Sequence, residues 1–169
     1  ALVFTGAMDY WPNVDAVQWF AAEALPILRA RYPKLSFYIV GARPAPAVQE
    51  LGKLPGVTVT GTVPDVRPYI AHARAAVAPL RIARGIQNKV LEAMAMATPT
   101  VVSPQALEGI RAEPGSELLL AEDGAAFADA VALLLERSDN AMGLAARARV
   151  ENHYSWPSNL ACIGERLEC

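Results

Sequence analysis

The sequence predicts an α/β domain: an open, doubly wound parallel sheet of six strands, Rossmann-like, with helices on both faces. Three observations lead there. Short apolar runs alternate with longer stretches whose apolar residues recur at helical spacing. The short runs are near-continuously apolar, as strands covered on both faces are, whereas half-exposed antiparallel strands alternate polar and apolar. The first three runs close on a glycine, at Gly6, Gly41 and Gly61.

Taken in order, Leu2–Thr5 reads as the first strand. Residues 12–32 follow as an amphipathic helix, with Val14, Val17, Phe20, Ala24, Ile27 and Leu28 on one face and Pro26 as a kink or cap. Residues 35–40 (Leu-Ser-Phe-Tyr-Ile-Val) form a second strand, 46–53 a short helix, 57–60 a third strand, 66–74 a helix and 75–79 a fourth strand. Residues 86–97 are the clearest helix. They are rich in Leu, Ala, Met and Glu, all strong helix formers, and are halted at Thr98-Pro99. Residues 100–103 and 117–120 are the last two strands, and 124–137, 140–151 and 156–167 the last helices. In sheets of this kind ligands sit outside the carboxyl ends of the strands. That directs attention to the segments after Gly6, Gly41, Gly61, Pro79 and Ser103.

Composition narrows the function. The chain has 169 residues, 53% of them hydrophobic and 19% charged, enough to bury a core as a single domain over 1–169. A net charge of −2 excludes a globally basic nucleic-acid binder. The two cysteines, Cys162 and Cys169, lie about 10 Å apart if that end is helical, too far for a mutual disulfide, so the chain reads as a reduced, cytosolic-type protein. The longest uncharged stretch, 93–107, contains Pro99 and Pro104 and is too short to span a bilayer. The chain opens without Met on an apolar run and is expected to be a piece of a longer protein. His72 and His153 are the only histidines and have no clustered metal-ligand partners in sequence. A Gly-x-Ser-x-Gly elbow and a Gly-x-Gly-x-x-Gly fingerprint are both missing. Gly56 and Gly61 have P-loop spacing but are followed by Thr62-Val63 rather than Lys-Ser or Lys-Thr.

One segment carries chemistry. Residues 66–91 hold no acid and five bases: Arg67, Arg74, Arg81, Arg84 and Lys89. The densest part falls in the loop after the fourth strand and the first turn of the next helix, whose free N–H groups and dipole favour anions. Gly85 lets a ligand approach the backbone there. The segment is either a diphosphate site or a solvated basic loop. Glu92 is the only charge between Val90 and Leu107, on a helix apolar nearly all round, and is expected to be partly buried. It either pairs with Lys89 at the surface or accepts hydrogen bonds from vicinal hydroxyls such as those of a ribose.

The stretch Gly85-Ile-Gln-Asn-Lys-Val-Leu-Glu-Ala-Met-Ala-Met-Ala-Thr-Pro-Thr-Val-Val-Ser resembles the donor-site motif of the retaining, GT-B-fold glycosyltransferases often called group 1. Phe4-Thr5-Gly6 with Asn13, Phe37-Tyr-Ile-Val-Gly41, Val57-Thr-Val-Thr-Gly61-Thr-Val63, residues 65–69 and His153-Tyr-Ser-Trp156 are similar to further family elements in order and spacing. The resemblance covers essentially the whole chain, which corresponds to the carboxyl-terminal half of such an enzyme.

What it implies is specific. The chain is expected to bind a nucleoside-diphosphate sugar for retaining transfer to a hydroxyl acceptor in polysaccharide or glycolipid assembly, with no cofactor and no obligatory metal. The acceptor-binding amino-terminal half is a missing partner, through which any peripheral membrane association is expected; the location is cytoplasmic. Glu92 matches the family's ribose-binding glutamate. Gly6, Asn13, Gly41, Arg43, Thr62, Val63, Arg81, Arg84, Gly85, Asn88 and Lys89 complete the expected donor site. The chain departs from the family at three places: Ala7 and Pro12 stand where the first loop carries cations, and Arg84 where the motif has its first glutamate. Arg81, Arg84 and Lys89 are therefore expected to supply the diphosphate charge, or else the site has drifted from function. Arg43 contacts the base or is a solvated arginine. Trp19 is expected to be packing, and Tyr10 and Trp11 either line the cleft or not. A nucleotide-sugar epimerase and a non-catalytic nucleotide-binding module are the alternatives; the scarcity of histidines weighs against the epimerase.

Overall fold

The computed structural model describes residues 1–154; the expected helix 156–167, with Trp156, Cys162 and Cys169, lies outside the described residues. Six parallel strands, β1 (Leu2–Thr5), β2 (Phe37–Val40), β3 (Val57–Val59), β4 (Ala75–Ala78), β5 (Thr100–Val102) and β6 (Leu119–Leu120), pair in the order β3-β2-β1-β4-β5-β6. This is the doubly wound Rossmann order, and the chain reverses direction across the sheet between β1 and β4.

The helices follow from the apolar pattern. The expected 12–32 helix divides at Ala24 into α1 (Trp11–Glu23) and α2 (Leu25–Arg31), with Pro26 in the first turn of α2, where its missing N–H costs nothing. Phe20 of α1 sits 5.0 Å from Phe37 of β2, ring centre to ring centre. Trp19 meets Phe127 of α7 (Gly124–Glu136) edge-on at 5.6 Å, which makes Trp19 a packing residue. α3 (Pro46–Leu51) buries Val48 in the same core.

The other face of the sheet is covered by α4 (Arg67–His72) and α5 (Asn88–Ala95), which set Ile70 and Ala93 onto Val3, Val40 and Ala76. α8 (Ala141–His153) packs against α5, where Gly143 admits the Ala97 carbonyl at a distance that a Cβ would fill.

α5 is shorter than the expected 86–97. It ends at Ala95 because Ala97 turns left-handed (φ 54°), with the Ala97 N–H donating to the Met94 carbonyl and Thr98 N–H to Ala93. α6 (Pro104–Leu107) is a short helix that the sequence reading left out; Ser103 caps it through the Ala106 N–H. Among the described residues no helix is long and apolar enough to cross a membrane.

Candidate donor-binding cleft

A cleft of about 630 Å³ opens at the carboxyl edge of the sheet, between the loops that leave β1, β2 and β3 and the amino-terminal end of α5. The β1 and β2 exits are laced together: Gly6 N–H donates to the Val40 carbonyl at 3.1 Å, Met8 N–H to Ala42 at 2.8 Å and Ala45 N–H to Met8 at 3.0 Å. A side chain on Gly41 would overlap the Gly6 carbonyl oxygen, so glycine is what lets the two loops close on each other and leave the cleft open above them.

The opposite wall is α5. Its N-cap residue, Gln87, gives no side-chain cap; the Gln87 amide nitrogen instead donates back to the Gly85 carbonyl at 3.2 Å. The first amides of the helix, at Asn88 and Lys89, precede any intrahelical partner and face the cleft end of the helix dipole. Lys89 reaches beneath the first loop. Its Nζ donates to Asn13 Oδ1 at 2.6 Å and lies 5.0 Å from the centre of the Phe4 ring. Burial pulls its pKa down to about 8, against the opposing pull of the Glu92 carboxylate.

Glu92, one turn along α5, lines the same cleft and is open to it. The protein around it still displaces enough water to hold its carboxyl above the usual range, while Lys89 pulls the other way. No Lys89–Glu92 ion pair within 4.0 Å forms among the described residues, so the surface-pair alternative does not hold.

Of the residues singled out from sequence, Gly6, Asn13, Gly41, Thr62, Val63, Arg84, Asn88, Lys89 and Glu92 line this cleft. Arg81, Arg43 and Gly85 do not. Arg81 is turned onto α1, where its Nε donates to Asp15 Oδ2 at 3.0 Å and its Nη2 to Asp15 Oδ1. Arg43 Nε donates to Asp9 Oδ2 at 2.5 Å, an exposed pair that holds the Asp9 carboxyl below its ordinary range. Both guanidiniums thus have a carboxylate partner outside the cleft. Gly85 shapes the loop with a left-handed φ of 68° but stands back from the opening.

Tyr10 lines the cleft and is 61% exposed, while Trp11 is outside it. The sequence reading missed the contributions of Thr5, Val40, Val66, Ile86 and Gln87. Thr5 and Val40 are the last residues of β1 and β2, and Ile86 and Gln87 directly precede α5, so the topological rule that located the loops was also the signal for these; Val66, seven residues past β3, carried no such signal. Asp15 was overlooked because its partner is 66 residues away; the available signal was an acid on the buried face of an amphipathic helix.

Residues 1–137 match the family model for glycosyl transferases, group 1. The chain belongs to the glycosyl transferases group 1 family. No curated protein sequence matches it. Among solved structures, this group 1 chain is similar to sucrose-phosphate synthase from Thermosynechococcus elongatus (TM-score 0.74, 22% identity, 99% of this chain and 44% of that one). It is also similar to Alr3699/HepE of Anabaena, solved in complex with UDP and glucose (TM-score 0.76, 16% identity, 99% of this chain and 48% of that one). A third, the C-terminal domain of a glycosyl transferase group 1 family protein, LpcC, from Francisella tularensis, aligns over 92% of this chain and 85% of its own length (TM-score 0.72, 16% identity). At these identities the likeness is one of fold: the six-stranded parallel sheet with flanking helices of GT-B carboxyl-terminal domains. The group 1 chain spans less than half the length of the first two.

Proposed function

We propose that this group 1 chain is the donor-binding domain of a retaining glycosyltransferase, and that its cleft takes a nucleoside-diphosphate sugar. One observation carries the reading. A single opening at the carboxyl edge of the sheet brings together an ammonium at a helix amino terminus, a glycine-lined floor and, one turn further along the same helix, an exposed carboxylate.

The polarity of the cleft orders the ligand along it. Gly41, Ala42, Thr62 and Val63 form an end with no charged side chain, suited to a base. Glu92 accepts hydrogen bonds from the two ribose hydroxyls. Lys89, Arg84 and the first amides of α5 face the diphosphate, and Arg84 has no carboxylate within 4.0 Å among the described residues. As the glycosidic bond breaks, negative charge builds on the departing diphosphate, and these fixed donors stabilise it. A second half supplies the hydroxyl acceptor. The whole protein works on the cytoplasmic side in polysaccharide or glycolipid assembly. The group 1 membership and the neighbour solved with UDP and glucose support the reading.

Calorimetric titration with UDP, GDP and ADP tests it. One of the three is expected to bind, without turnover. Lys89→Met, Arg84→Ala and Glu92→Gln are each expected to weaken that binding about tenfold. A wild-type chain that binds none of the three contradicts the proposal and favours a non-catalytic module.

A further inference from the structure

Asn13 entered as a ligand-contacting residue, but both ends of its amide are occupied inside the protein. Its side chain is 4% exposed in this fold, Nδ2 donates to the Ala7 carbonyl at 2.9 Å, and Oδ1 accepts from Lys89 Nζ at 2.6 Å. A side chain on Gly6 would come within 2.6 Å of that Nδ2, so the amide is clamped between α1 and the first loop.

The cations around it are treated differently. Arg81 is held by Asp15, Arg43 by Asp9 and Arg67 by Asp65, each a carboxylate that cancels the charge it binds. Lys89 alone of these is held by a neutral amide. An ammonium has three N–H groups. One goes to Asn13 and the Phe4 ring face covers another side, which leaves a donor for the cleft that Lys89 lines.

We propose that Asn13 is a positioning residue acting through Lys89: it fixes the ammonium against the first loop, aims it at a bound diphosphate and leaves its positive charge uncancelled. The proposal rests on the donor-site reading for its ligand but on the geometry of Asn13 and Lys89 for its mechanism. The titratable and charged groups that share the cleft with Lys89 are Tyr10 from the first loop, Arg84 from the loop after β4 and Glu92 from α5 itself. β1, β4 and β5 turn only uncharged side chains towards its stem.

The test replaces a neutral acceptor by a charged one. The chain has three lysines, and Lys34 and Lys53 are exposed, so side-chain NMR of the nucleotide-free full chain follows Lys89 against internal references. Asn13→Asp is expected to raise the Lys89 midpoint from about 8 by a unit or more. Asn13→Ser, whose hydroxyl is too short to reach Nζ, is expected to lower it, and serves if the Asp variant does not fold. Calorimetry with UDP, GDP and ADP across the same pH range gives the functional half. Wild-type affinity is expected to fall on the alkaline side as Lys89 loses its proton. The Asp variant is expected to bind about tenfold more weakly at pH 7 and to show that fall at higher pH. A purely structural Asn13 would weaken binding equally at every pH and leave the Lys89 midpoint unmoved in both variants; that result overturns the proposal. If none of the three nucleotides binds wild type, the donor-site reading fails, while the NMR midpoints still decide whether Asn13 governs Lys89.

Discussion

Lys89 shows what a buried ammonium costs the fold. Its pKa of about 8 in the folded chain lies below the ordinary 10.5, so between those values the unfolded chain holds more protons than the folded one. Stability therefore rises as pH climbs through that window, and below it the buried ammonium is a liability. Lys89→Met keeps the apolar stem and removes the charge. It is expected to stabilise the chain at pH 7 by about 1–2 kcal/mol, with Tm higher by a few degrees, and to lose that advantage near pH 10. Thermal unfolding at the two pH values checks this, and an equal Tm difference at both would contradict it. The same residue was legible in the sequence, as was Glu92, because each stands out locally: a base in the first turn of a helix and a lone acid in an apolar one. The fates of Arg81 and Arg43 were not legible. Their partners, Asp15 and Asp9, are 66 and 34 residues away, and only the fold says that these side chains meet.

The elements divide in the same way. Strands β1 and β4 were readable to within a residue because burial on both faces leaves an uninterrupted apolar run, whereas β2 starts at Phe37, two residues later than expected, after the polar Ser36. β6 is only Leu119–Leu120, shorter than the strand expected over 117–120, and at the sheet edge it has a single neighbour to pair with, β5. α6 was missed although Ser103-Pro104 is a cap followed by a first-turn proline; four residues are too few for a periodic pattern to show. The end of α5 was misplaced by two residues because an alanine takes the left-handed position usually given to glycine. Ala97→Gly is expected to stabilise the chain by about 0.5–1 kcal/mol by relieving that conformation, while the Ala97 carbonyl keeps its bond from Asn140 Nδ2 at 3.0 Å. Urea unfolding measures it; destabilisation would mean that the methyl group contributes more than the strain costs.

For the whole molecule, topology does most to place the site. The β3-β2-β1-β4-β5-β6 order puts the crossover between β1 and β4, and the cleft forms where the β1 and β2 loops on one side face the α5 amino terminus on the other. The two walls differ in chemistry: one provides a glycine floor and uncharged side chains, the other the cation, the first amides of α5 and the carboxylate. Lys89 and Arg84 bring positive charge to the cleft from the α5 side, opposite the β1 and β2 loops. The most direct measurement is a crystal structure of the chain with whichever of UDP, GDP or ADP binds best. The account predicts the ribose hydroxyls on the Glu92 carboxylate, the diphosphate within hydrogen-bond reach of Lys89 Nζ and the Asn88 and Lys89 amides, and the base at the Gly41 and Val63 end. A nucleotide seated elsewhere, or in the cleft with its diphosphate turned away from Lys89, would contradict it.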